Sequence, residues 1–122
     1  MRKSIAAVTA ALSLIWLGDL AVAMPETVSG EVIDLACYAR NRSTGMHHDR
    51  ALECAWACVR WEGQPVGLLT ADGTIYQLAG GLTAHSNLKI AQYLARTVTV
   101  IGEVAEVDGL LTLTSDDVTM VK

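Results

Sequence analysis

Two Asp-Gly pairs, Asp72-Gly73 and Asp108-Gly109, constrain this chain more than any other feature, because each sits between runs of β-forming residues. Such a pair reaches the positive φ angles that tight hairpin turns demand, so each commits its flanks to neighbouring antiparallel strands. The first pair joins expected strands over residues 66–70 and 74–78, and the second joins strands over 97–104 and 110–121. An earlier run over 28–36, rich in Val and Ile, reads as one more strand. Gly30 marks a bend or bulge in that first strand, and Gly102 marks one in the fourth.

The connections complete the pattern. Cys37-Tyr38 closes the first strand, residues 40–44 read as a polar loop ending at Gly45, and Asp49 is placed to cap a helix over 50–61. Gly63 and Pro65 stop that helix. Gly80-Gly81 breaks the chain after the third strand, and Asn87 opens a second helix running to Ala95. Five strands in this order predict a mainly β fold, an OB-fold-like five-stranded barrel with helices. A Cys-bearing helical insertion lies between strands 1 and 2, and a helix lies between strands 3 and 4. A different five-stranded α+β sheet is the rival arrangement.

The N-terminus reads as a targeting segment. Arg2 and Lys3 precede an apolar run over 5–17 that is broken only by Thr9 and Ser13, and Asp19 ends it. The run is shorter than the ~20 apolar residues a spanning helix needs. Ala21-Val22-Ala23 fits the small-x-small rule, so a Sec signal peptide over 1–23 is expected to be cleaved between Ala23 and Met24. A single periplasmic or secreted domain over 24–122 would remain, with no membrane anchor after cleavage. It carries seven basic and twelve acidic residues, a net charge of −5, and no Phe. That balance opposes phosphate backbones and anionic lipid, which require a positive footprint, so nucleic acid is not an expected partner.

Chemistry concentrates between positions 37 and 58, where all three cysteines and two of the three histidines lie. Cys54 and Cys58 are four apart on the expected helix, which puts both thiols on one face with Cβ atoms about 5–6 Å apart. That separation suits two ligands on one metal and suits a disulfide badly, since bridged Cβ atoms sit near ~3.8 Å. On a continuous helix His47 would stand about 10 Å from Cys54 along the axis. A histidine therefore joins only if the helix starts after His48, which gives His48 preference over His47 as a ligand. Cys37, Cys54, Cys58 and one of these histidines would form a three-sulfur, one-nitrogen set suited to Zn²⁺ or Cu(I).

Three functions stay open on these residues. The first is a periplasmic soft-metal-binding protein for Cu(I) or Zn²⁺. The second is an exported interaction module stapled by a disulfide from Cys37 to Cys54 or Cys58, with another periplasmic protein as partner and no metal. The third is a thiol-redox protein, which requires a cysteine with a depressed pKa. No serine occupies a nucleophile elbow or phosphate loop, no C-x-x-C-H haem motif is present, and neither an enzyme activity nor an organic cofactor is expected.

Smaller features have plainer readings. Asp34, three residues before Cys37, is a candidate for orienting a ligating histidine. Met24 and Met46 read as packing residues, His85 as a surface residue, and Trp56 and Trp61 as a cover between insertion and barrel. The string Gly30-Glu31-Val32-Ile33-Asp34, Cys37-Tyr38, Cys54-Ala55-x-x-Cys58 and Pro65-Val66-Gly67-Leu68-Leu69 resembles a pattern in small exported bacterial OB-fold-like proteins. It covers about the first half of the chain after residue 23. The resemblance implies fold and export, and carries no functional residue with it.

Overall fold

Both Asp-Gly turns form, each with its own geometry. In the computed structural model, which describes residues 24–41 and 49–120, strands β2 (Val66–Leu69) and β3 (Ile75–Ala79) are joined by residues 70–74, with Thr70 N–H donating to the Thr74 carbonyl across the base of the turn. Gly73 N–H donates to the Thr70 carbonyl at 3.0 Å and Gly73 takes φ +87°, the turn-plus-bulge form in which glycine escapes a Cβ clash. Strands β4 (Thr97–Val107) and β5 (Leu110–Thr114) are joined by the two-residue form, with φ positive at both Asp108 (52°) and Gly109 (78°).

Strand β1 (Met24–Asp34) closes the barrel by pairing antiparallel with β2 along one edge and with β4 along the other. The ring runs β1-β2-β3-β5-β4 and back to β1, antiparallel throughout except for the parallel β3–β5 contact. This closed, mixed five-stranded barrel is the expected OB-fold-like architecture, and closure removes the exposed edges that invite aggregation. The flagged glycines sit at close approaches. A Cβ on Gly30 would lie 2.6 Å from the Leu69 carbonyl oxygen, and one on Gly102 would collide with the Thr114 carbonyl.

Alternation along the strands fills the interior. Val28 and Val32 of β1, Leu68 of β2, Leu78 of β3, Val98 and Val100 of β4 and Leu113 of β5 are all buried in one cluster. The same period of two places Asp34 on the core face of β1, at the barrel end where β1 meets Val66. Residues after β3 plug the barrel through Leu82, Ile90, Ala91 and Leu94.

Several boundaries differ from the sequence expectation, each for a local reason. Cys37 and Tyr38 lie on a helix, α1 (Leu35–Asn41), instead of closing the strand, because Asp34 Oδ1 accepts from the Ala36 and Cys37 N–H groups and turns the chain. The expected 50–61 helix is α2 (Asp49–Trp56) followed by a π-helical turn (Ala57–Trp61), in which Glu62 N–H reaches back to the Ala57 carbonyl. The expected 87–95 helix does not form as one piece. A 3₁₀ turn (Ala91–Tyr93) remains, while Ala95 N–H donates to the Val32 carbonyl and the Arg96 carbonyl accepts from Val32 N–H, so pairing with β1 displaces helix. The last strand breaks at Ser115, whose Oγ donates to the Ile101 carbonyl at 2.7 Å, and resumes as β6 (Thr119–Met120) beside β4. Among the described residues no helix is long and apolar enough to cross a membrane. The expected signal peptide over 1–23 lies outside the described residues.

Candidate functional site

The insertion reaches the barrel through two side chains. Ala55 and Val59, four apart on α2 and the π turn, are buried in the barrel's cluster. Cys54 and Cys58 each precede one of these anchors by a residue, which rotates both thiols off the core face by about 100°. Cys54 is exposed as a result, and Cys58 is half-buried. The third thiol comes from a different element: Cys37 sits half-buried on α1, directly after the capped end of β1.

Asp34 links these elements. It is only 2% exposed; Oδ1 caps α1, while Oδ2 is buried without a hydrogen-bond partner. Burial pushes the Cys37 thiol above its ordinary range, and the hydrogen bond and charge of Asp34 push it further. The Arg40 guanidinium, with Nη2 donating to Cys37 Sγ at 3.7 Å, works in the opposite sense. Cys58 is also raised, by burial first, then by the negative charges of Glu62, Asp34 and Cys54. The charge of Cys58 also raises Cys37, as the smallest of these influences.

Cys37 thus follows the end of β1 on α1, while Cys54 and Cys58 each precede one of the insertion's buried anchors, Ala55 and Val59. All three are free thiols. Among the described residues, no group of three His, Cys, Asp or Glu side chains is placed to hold a metal ion. The two histidines expected to add a nitrogen, His48 and His47, lie outside the described residues. The chemistry of the donors fits a soft cation, since thiolates are the ligands that both Cu(I) and Zn²⁺ accept.

Two expectations near the site are corrected. Trp56 and Trp61 do not cover the insertion against the barrel. They stack edge-to-face on each other at 5.4 Å, and Trp61 is 69% exposed with Arg60 over its ring. Asn87 does not open a helix. It lies within Ala84–Asn87, where His85, Ser86 and Asn87 all take left-handed backbone, a conformation costing a non-glycine residue roughly 1–2 kcal/mol. Its buried side chain donates from Nδ2 to the Val59 carbonyl (2.8 Å) and the Gln64 carbonyl (2.9 Å), binding the β3–β4 connection to the π turn. The sequence signal for this contact was slight: an asparagine tolerates left-handed backbone better than most residues, and nothing near it named its partner.

No protein-family model, curated protein or solved structure matches the chain. The barrel alone names no activity, since OB-like barrels carry many, so the functional argument rests on the thiols.

Proposed function

We propose that the chain is an exported soft-metal-binding protein, working in the periplasm or outside the cell after residues 1–23 are removed. Its donors are the thiolates of Cys37, Cys54 and Cys58, with His48, or alternatively His47, completing the set around Cu(I) or Zn²⁺. What supports this reading is that the chain's three cysteines are all free thiols, carried on α1, on α2 and on the π turn that continues it. A structural spare cysteine would more simply be buried in the core, and Cys54 is exposed. The raised Cys37 and Cys58 thiols weigh against a redox role, because the thiolate is the nucleophile and both are held protonated. A cation supplies what the fold withholds, since binding displaces those protons.

The test is a Cd²⁺ and Zn²⁺ titration of the wild type and Cys54→Ser, with circular dichroism recorded on both. The reading expects the variant to lose at least about tenfold in affinity while the barrel stays folded. Unchanged affinity and stoichiometry would remove this site.

A disulfide-stapled interaction module is the second reading, since Cys58 is the thiol whose charge reaches Cys37. It makes Cys37–Cys58 the bridge and leaves Cys54 as the spare thiol. Reduction would then lower the melting temperature, because a staple closing a loop of this size contributes about 3 kcal/mol.

A further inference from the structure

Three consecutive non-glycine residues in left-handed backbone persist only where their surroundings fix them, and at His85, Ser86 and Asn87 the fixing contacts all lead to one place. Asn87 is 4% exposed. Both of its amide hydrogen bonds end on the π turn and the loop that follows it, at Val59 and Gln64. Arg60, from the same turn, returns the contact by donating from Nη1 to the His85 and Ser86 carbonyls, each at 3.5 Å. The Cys58 carbonyl in turn accepts from Gln64 N–H at 3.1 Å. The loop that starts at the Cys58 thiol is thus closed on itself by Gln64 and locked to the barrel by Asn87.

π turns interrupt helices at functional sites more often than chance allows, because they re-aim a side chain at the cost of regular pairing. Here the Val59 carbonyl is satisfied by the Asn87 amide. We infer that Asn87 is a positioning residue for Cys58: its amide holds the π turn in the register that keeps this thiol half-buried. The strained turn at 85–87 is the backbone conformation that delivers the amide to the two carbonyls. The inference rests on the reading of the thiols as a ligand set, but its first readout does not involve metal.

Asn87→Gly and Asn87→Asp separate backbone from amide. Glycine adopts left-handed backbone freely and lacks the donor. Aspartate keeps the shape and tolerates the backbone, but its carboxylate cannot donate to a carbonyl. Site-resolved alkylation with iodoacetamide, followed by peptide mass spectrometry, gives the rate at Cys58 relative to Cys54 in the same molecule. Loss of two amide hydrogen bonds is expected to raise that ratio about tenfold in both variants. A ratio within about twofold of wild type in the variants overturns the assignment. Should Asn87→Gly unfold, exposing all three thiols alike, Asn87→Asp decides on the same criterion. A parallel Cd²⁺ titration keeps the two claims apart. A wild type that binds no Cd²⁺ sinks the metal reading and leaves the alkylation ratio to judge Asn87. A wild type that binds it is expected to lose about tenfold in affinity on Asn87→Gly.

Discussion

In the barrel, each strand junction is enforced more than once. The Asp-Gly turns set the register of two hairpins, alternation turns Val28, Val32, Leu68, Val100 and Leu113 inward, and closure through β1 leaves no free edge within the ring. In the insertion, α1, α2 and the π turn are held by a few contacts of different kinds: the Asp34 cap, the Ala55 and Val59 anchors, the Asn87 amide and the Arg60 guanidinium. Under the proposed function, the difference separates a scaffold from the segment that carries the thiols. The barrel's order is set by its own turns and core, whereas the surroundings of the insertion's thiols combine partial burial with the charges of Asp34, Arg40 and Glu62.

That contrast breaks most visibly in the barrel's own core. Leu68→Ala or Leu113→Ala, each fully buried, is expected to cost about 2–5 kcal/mol in urea unfolding and to melt barrel and insertion together. A loss under ~1 kcal/mol would mean that the core is not the tightly packed unit described. Asp34→Ala comes next. Losing the α1 cap costs about 1 kcal/mol. The same change removes a hydrogen bond and a negative charge that raise Cys37, so the Cys37 thiol should titrate lower than in the wild type. An unchanged Cys37 titration would uncouple the barrel end from the thiols.

Cys54→Ser acts on the insertion alone. Its side chain is exposed, so unfolding stability should shift by no more than ~0.5 kcal/mol while metal affinity falls. A large loss of stability would make Cys54 part of the fold.

The pH dependence of thiol reactivity sharpens the contrast further. A raised thiol pKa means that Cys37 and Cys58 stay protonated at neutral pH and form thiolate only above their ordinary range. Alkylation of both at pH 7.5, about one unit below the ordinary thiol range, should be slower than of a free cysteine peptide and should overtake only as pH rises. Folding favours the protonated thiols, so their contribution is complete below the unfolded thiol pKa and is lost as pH climbs through the folded one. A fast thiol at neutral pH would revive the redox reading.

The smallest effect belongs to the first hairpin. Asp72 accepts hydrogen bonds from the Thr70 hydroxyl and Thr74 N–H, which lower its pKa. Its stabilising contribution is present above the unfolded carboxylate pKa and disappears as pH falls through the lower folded one. Asp72→Ala should therefore be slightly less stable than the wild type at neutral pH and indistinguishable in strong acid. An equal gap at both pH values would exclude Asp72 ionisation as the cause.

Sequence made the barrel legible because its signals are local. Asp-Gly turns, period-two alternation and glycines at close approaches each act within a few residues, and they agree with one another at Gly30, Asp72-Gly73, Gly102 and Asp108-Gly109. That Cys54 and Cys58 share one short helical segment was legible for the same reason. What was not legible depended on distant partners. Asp34 reads as a strand end until the two N–H groups that it caps are seen. Asn87 reads as a helix opener until its amide is found on Val59 and Gln64, more than twenty residues away. Trp56 and Trp61 read as cover because large aromatics are usually buried, but Ala55 and Val59 take the inward positions first.

The most direct test of the central claim, that the insertion's thiols form a ligand set for a soft cation, is a native mass spectrum of the exported protein isolated without added reductant. The account predicts a chain beginning at Met24 that carries one bound metal ion with Cys37, Cys54 and Cys58 all reduced. A metal-free chain lighter by two hydrogens would contradict it and identify the insertion as a disulfide-stapled module.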